Sequence, residues 1–523
     1  MNPYKLRSRS IALAALLLCA TLPKLSIRAQ STATSAPSGN RPTDPIKDIA
    51  WYTHHAPFPM PEVIQPTFPD KTFRLPDFGA IGDGRTLNTT AFAKALQACS
   101  AAGGGRVIVP AGKWLTGPIE FLNHVDLHLE EGAQILFTKD HTQYPLLQSH
   151  RGAGVSVASP VYGHDLEDIA ITGEGLLDGA GETWRPVKKS KTTEAQWRDL
   201  LASGGVLSPD GQIWWPSREA RDGESFLKEL KKKDPQASPS VDDYLPARDW
   251  LRPYMVTFVN CRRVLLRGVT IRNSPKFVFY PNNCTDLTMD HVNIFNEWWA
   301  QNGDGIDISA CKRVIIYNCT VNAGDDGICM KSSGKRPDGP ALENLIVAGC
   351  TVYRAHGGFV IGSNTDGGMH NIFVSDCTFI GTDVGLRFKS NMGRGGLVND
   401  IFIRDISMRN IVNEAVLFDT YYEDAQAGAS KDPNQQKPID KTPEFRDFHI
   451  SHITCNGART AIAITGLPQM PVSRIHFDSI EIHSNKGLVA TQARDIDLHA
   501  VQLVTQQEPV YQTDKTAEIH IRP

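Results

Sequence analysis

Along the second half of the chain, short strands with apolar first and third residues recur at a near-constant interval. Their starts fall at Val264, Leu287, Val314, Leu345, Ile372, Ile401, Phe448, Ile475 and Ile496, with an earlier copy at Ile169. From Val264 onward the starts lie 21 to 31 residues apart, except between Ile401 and Phe448, where Tyr421 to Pro443 reads as a polar loop insertion. A coil of that length cannot bury its apolar side alone, and stacking coil on coil makes a continuous core. A propeller blade needs about 40 residues and a leucine-rich repeat needs a recurring leucine pattern; neither fits. The pattern predicts an all-β chain folded as a parallel β-helix. Residues 178–250 interrupt it with two helix-like stretches, Glu194 to Ala202 and Glu224 to Lys233, and with Trp184, Trp197, Trp214, Trp215 and Trp250. An insertion at about 181–250 over one face of the helix is expected, and loops that long inside a compact fold are usually functional.

A second strand in four successive coils carries polar residues of interest. The segments begin at Gly303, Asp325, His356 and Asp383. Ile306, Ile328, Phe359 and Leu386 align, as do Ile308, Met330, Ile361 and Phe388. Alternation turns these inward, so Lys331, Arg387 and Lys389 face outward. The alignment stacks Asp304 on Asp326 and puts His356 in the place of Asp325. Stacked strands lie about 4.8 Å apart. Crowded carboxylates spread their pKa values, so a neutral acid and an ionised base can coexist. The plainer readings are a solvated strand edge or an acidic metal site.

Composition narrows the class. With 523 residues, 41% hydrophobic and 21% charged, the chain buries a large core and is not disordered. A net charge of −3 argues against a general nucleic-acid binder. Ten cysteines are too few for a disulfide scaffold. Cys319, Cys350 and Cys377 share one repeat position and read as stacked buried thiols. Residues 1–29 read as a secretory signal: Lys5, Arg7 and Arg9 precede the apolar run Ile11 to Ala20, and Ala29 suits cleavage. Residues 30–70 read as a leader or N-terminal extension, and 71–523 as the β-helix. No later segment has the roughly 18 apolar residues of a membrane span. The expectation is a secreted or periplasmic protein with no span in its mature chain.

Asn302-Gly303-Asp304, Gly324-Asp325-Asp326, Ala355-His356-Gly357 and Arg387-Phe388-Lys389 resemble the four signature elements of glycoside hydrolase family 28, the polygalacturonases. Phe78-Gly79-Ala80, Gly82-Asp83-Gly84, Gly103 to Val107 and Leu177-Asp178-Gly179 extend the resemblance over roughly residues 70 to 510. Gly303, Ala355 and Phe388 depart from the family's usual residues without changing a reacting group. The resemblance implies a right-handed, pectin-lyase-like β-helix that cleaves α-1,4-galacturonosidic bonds with inversion. That chemistry needs a protonated carboxyl for the leaving oxygen and an ionised one to activate water, usually about 6.5–9.5 Å apart. The family roles make Asp325 the acid and Asp304 and Asp326 the bases, with His356 governing protonation of the acid. Asn302, Arg387 and Lys389 would bind substrate, the two cations clamping a uronate carboxylate. No metal or cofactor is implied; the partner is an anionic polysaccharide, pectin or galacturonan.

Within this resemblance a long insertion closing the cleft would favour exo action. The alternatives are a rhamnogalacturonan hydrolase, a β-helix lyase, or a non-catalytic carbohydrate-binding β-helix. The basic run Arg185, Lys188, Lys189 and Lys191 reads first as a solvated loop and second as a lining for an anionic substrate. The insertion's tryptophans suit a small core of their own better than sugar stacking. His370 and Asn391 read as loop contacts.

Overall fold

The computed structural model describes residues 47–148, 154–233, 239–422 and 441–523. The signal segment, the leader as far as residue 46 and most of the polar loop after Tyr421 lie outside the described residues.

The apolar strand centres stack in unbroken parallel register: Ile169, Val264, Leu287, Val314, Leu345, Ile372, Ile401, Phe448, Ile475 and Ile496 each pair with the next. All are buried in one core that runs the length of the coils. The architecture is a right-handed parallel β-helix. A second parallel face is formed by Ile306–Ser309, Ile328–Lys331, Phe359–Ile361, Leu386–Lys389, Glu414–Asp419, Thr460–Thr465, Lys486–Thr491 and Tyr511–Thr513. Bridges at Phe279 and Asn282 join this face to Val256–Val259 of an earlier coil.

The polar residue before each strand centre has a structural reason. Asp168, Arg263, Asp286, Arg313, Asn344, Asn371, Asp400, Asp447, Arg474 and Asp495 all turn the chain with φ between 52° and 59°. Asn and Asp tolerate this left-handed conformation, which costs other non-glycine residues roughly 1–2 kcal/mol. Each arginine among them is compensated by an aspartate at the same turn of the preceding coil. Arg263 grips Asp168 at 2.6 and 2.8 Å, Arg313 grips Asp286 at 2.7 Å through two nitrogens, and Arg474 grips Asp447 at 2.6 and 3.0 Å. These are two-pronged, charge-assisted contacts. Asp286→Ala should therefore lower stability by about 1–3 kcal/mol while leaving turnover per folded molecule unchanged. A thermal melt and an active-site-normalised rate check this.

Elements that the periodicity does not announce close the solenoid. The helix Thr89–Ala101 buries Phe92, Ala95, Leu96 and Cys99 against the first coils and so covers an end of the stack that would otherwise be open. The helix Ile49–His54 lies on the outside, where Tyr52 packs on Ile315, Ile346 and Phe373. Tyr52 and Lys47 both reach Asp376, at 3.0 and 2.6 Å. The chain is thus docked from residue 47, ahead of the β-helix boundary that composition suggests.

The insertion carries the helix Glu194–Ala202 as expected, while its second helix begins earlier, spanning Arg218–Lys233. Trp197 and Trp214 pack with Val187 in a small separate core, and buried Trp184 stacks on His141. The nine described cysteines are buried free thiols. Beside Cys319, Cys350 and Cys377 they include a second stack on successive coils, Cys261, Cys284 and Cys311.

Candidate active site

The outward positions of the second face are brought together by close coil contact. Gly305, Gly327, Gly358 and Gly385 occupy one column, where an added Cβ would lie 2.2–2.5 Å from Met408, Val321, Val352 or Phe379. Only glycine lets the chain enter each strand there, directly after the residues of interest. Asp304 and Asp326 precede Gly305 and Gly327, and the Gly305 N–H donates to the Asp326 carbonyl at 2.9 Å. Asp304, Asp325 and Asp326 each present an oxygen within 4.8 Å of the others.

Each carboxylate has a different environment. Asp326 is held by two cations: Arg387 donates to Oδ1 at 2.9 Å and Lys389 to Oδ2 at 2.7 Å. Burial alone would raise its pKa, but the Lys389 and Arg387 charges outweigh it and hold the carboxyl far below the usual range. Asp304 is buried with Oδ1 unpartnered; Lys331 lies 3.6 Å from its Oδ2. Burial, then the charges of Asp307 and Asp325, push Asp304 well above an ordinary carboxyl. Asp325 sits 3.0 Å from His356 Nδ1. Burial opposes its ionisation, but the His356 hydrogen bond prevails and leaves it below the ordinary value. The environments thus push Asp304 toward its protonated form and Asp325 and Asp326 toward their ionised forms.

These three oxygens are close enough to chelate a divalent cation. Lys389 and Arg387 already fill that place on Asp326, and Lys331 lies beside Asp304.

The model "Glycosyl hydrolases family 28" matches residues 248–498, which include every residue of this cluster. The chain belongs to glycoside hydrolase family 28. It is accordingly a glycoside hydrolase. It is similar to a probable polygalacturonase of Vitis vinifera, 26% identical over 78% of this chain and 74% of the relative. It is also similar to an exo-poly-alpha-D-galacturonosidase of Dickeya chrysanthemi, 28% identical over 76% of this chain and 64% of the relative. Among solved structures, an exopolygalacturonase from Thermotoga maritima superposes with a TM-score of 0.68 at 29% identity, covering 85% of this chain and 94% of that one.

In this family 28 enzyme the candidates from sequence are gathered as follows. Asp304, Asp325, Asp326 and His356 share one site, and Arg387 and Lys389 join them by gripping Asp326. Lys389 is only 5% exposed. The Tyr422 ring lies 4.6 Å from its ammonium and 5.4 Å from the Arg387 guanidinium. Asn302 is engaged structurally: its Oδ1 accepts from Arg252 at 2.9 Å. His370 pairs with Asp400 on a different face, and Asn391 donates to the Tyr422 carbonyl.

Two further residues join the site: Asp307, not singled out in the sequence, and Lys191, whose second reading there is a lining for an anionic substrate. Asp307 is fully buried, contacts Lys331 closely, and is pushed up to about 6 by burial. Its outward parity, two residues after Gly305, was the available signal. Lys191, the last residue of the insertion's basic run, puts its ammonium 2.8 Å from His356 Nε2. An ammonium can only donate, so Nε2 accepts and the Nδ1 hydrogen is directed to Asp325. Arg185 of the same run is instead buried on Ser274 and Asn273.

Proposed function

We propose that the enzyme hydrolyses α-1,4-galacturonosidic bonds of polygalacturonate and de-esterified pectin with inversion, acting from a chain end, outside the cytoplasm. The observation that carries this reading is one cluster of three carboxylates with oxygens within 4.8 Å but unlike partners: Asp326 lies between Arg387 and Lys389, Asp325 on His356, and Asp304 is buried with one oxygen unpartnered. A hydrolase needs such unlike carboxyls as acid and base.

Asp325 is the donor to the leaving oxygen. In the free protein the His356 hydrogen bond holds it ionised. A uronate carboxylate entering the cleft adds negative charge and expels water, and both effects raise the Asp325 pKa. A proton can then pass to it from Asp304 through one bridging water, which oxygens within 4.8 Å of each other can share. Asp304, relieved of its proton, and Asp326 bind the attacking water: its oxygen bonds to the anomeric carbon as the glycosidic C–O bond breaks, Asp325 gives its proton to the leaving oxygen, and Asp304 takes the proton the water loses.

Carboxyl groups about 5–5.5 Å apart are also the mark of retaining enzymes, so the spacing by itself favours a nucleophile. The partners argue for water. Asp326 has Arg387 on one oxygen and Lys389 on the other, Asp325 is tied to His356, and burial pushes Asp304 toward its protonated form. The exo reading draws on the insertion's contact with His356 and on the names of the Dickeya and Thermotoga relatives. Export draws on the signal-like residues 1–29; no described helix is long and apolar enough to cross a membrane.

The test is product analysis on polygalacturonate. Mono- or digalacturonate should dominate from the earliest time points, and proton NMR should first show the anomer opposite to that of the cleaved bond. An initial product of unchanged configuration would overturn inversion. Unsaturated products absorbing in the ultraviolet would mean a lyase, and an early ladder of mid-length oligomers would mean endo action. The exported chain should begin near residue 30 on N-terminal sequencing.

A further inference from the structure

A hollow of about 380 Å³ opens beside His356, lined among others by Lys191, Trp298, Arg354 and Asp383. That volume lies at the small end of ordinary ligand pockets, about 300–1,000 Å³. Lys191 and Trp298 lie outside the four signature motifs, and Lys191 belongs to the insertion. We propose that this hollow is a subsite for a uronate residue adjoining the cleaved bond, with Lys191 as the carboxylate ligand and Trp298 as the platform for the sugar ring. The proposal rests on the galacturonan reading above and specifies which residues recognise the second sugar.

The hydrogen-bond inventory of Lys191 leaves room for a ligand. An ammonium has three donors. One goes to His356 Nε2 at 2.8 Å and one, weakly, to the Gly324 carbonyl at 3.4 Å. The third has no hydrogen-bond partner among the described residues. The Lys191 nitrogen stands 5.8 Å from the centre of the Trp298 ring, and that indole is 41% exposed. A pyranose lying on the indole carries its carboxylate at the ring edge, within reach of such an ammonium. Arg354, exposed and without a side-chain partner among the described residues, adds a second cation to the wall.

The electrostatic balance favours an anion. Burial lowers the Lys191 pKa, with Asp325 and Asp383 opposing the shift. The ammonium has thus lost more solvation than its neighbours restore, and a carboxylate would make up the difference. Asp383 is the opposing charge in the wall, but nearly half its side chain is exposed and water screens it. The local sequence explains why Lys191 is held in place. Thr193 and Gln196 form a reciprocal capping box that starts the helix Glu194–Ala202, whose Trp197 is anchored in the insertion's core. Lys191 is the end of the short 3-10 turn before that cap.

The experiment is calorimetric titration of trigalacturonate into wild type, Lys191→Met, Lys191→Arg and Trp298→Ala, each carrying Asp325→Asn so that the ligand is not consumed, with steady-state kinetics on the same set without Asp325→Asn. Lys191→Met should weaken binding about tenfold or more, the measure of one charge-assisted hydrogen bond. It should also shrink the preference for de-esterified over methyl-esterified polymer. Lys191→Arg should restore most of both, and Trp298→Ala should raise Kd without altering the charge preference. Equal affinities in wild type and Lys191→Met, or no binding by wild type, would overturn the subsite. So would a Lys191→Met variant with lowered kcat and a shifted pH profile but unchanged Kd, because Lys191 would then serve His356 alone. Binding is read apart from turnover. A wild type that binds trigalacturonate without cleaving it would refute the proposed galacturonan cleavage and leave the subsite standing.

Discussion

Asp325→Asn should leave the coils stacked and lower turnover on polygalacturonate by at least 10²–10⁴-fold, the usual worth of a positioned proton donor. The substitution is nearly isosteric. Asn Oδ1 still accepts from His356 Nδ1, so the 3.0 Å contact that orients the ring survives. Removing the charge also relieves repulsion on Asp304, whose pKa the Asp325 carboxylate helps to raise. The melting temperature should hold or rise, which separates loss of chemistry from loss of fold. Reducing-end release and a thermal melt on the same preparation check both parts. Near-normal turnover from a folded variant would remove Asp325 from the reaction.

Lys389→Met should instead destabilise the protein. From sequence alone, Lys389 and Arg387 point outward beside the acid cluster and are free to clamp a substrate carboxylate. In the structure both are spent on Asp326, and the Lys389 ammonium is sealed beneath the Tyr422 ring. Breaking a buried ion pair costs about 3–5 kcal/mol when it strands a charge. Arg387 still faces Asp326, which sets the expectation at about 3 kcal/mol. The sign with pH follows from the depressed Asp326 pKa. A carboxyl bound more weakly by protons in the folded state contributes its stability above the unfolded pKa, about 3.9, and loses it as pH falls toward the folded value. The melting gap between wild type and Lys389→Met should be full near neutrality and narrow only in strong acid. Turnover should fall too, because Asp326 loses much of the charge that keeps it ionised. A variant that melts with the wild type while losing its preference for de-esterified polymer would show that Lys389 reads substrate after all.

Both predictions turn on a distinction between periodic and long-range information. The coil period and the two-residue alternation are written along the chain, because every coil repeats the same inward and outward choices. They determine the register from Ile169 to Ile496, the buried cysteine positions and the gathering of Asp304, Asp325, Asp326 and His356 on one strip. The left-handed residue before each strand is visible as a recurring polar position, but its occupation by Arg263, Arg313 and Arg474 makes sense only once each is seen gripping an aspartate of the preceding coil. Charge partnership is likewise a tertiary decision. Alternation shows that Lys331, Arg387 and Lys389 face outward, yet a spacing near 5 Å between coils lets each reach more than one carboxylate. Burial and side-chain conformation select Asp307 for Lys331 and Asp326 for the other two. Lys191 is the extreme case, since it meets His356 across 165 residues of sequence. Nothing periodic connects them; the insertion's own capping box and tryptophan core fix where that lysine ends, and only docking on the β-helix brings it to that histidine.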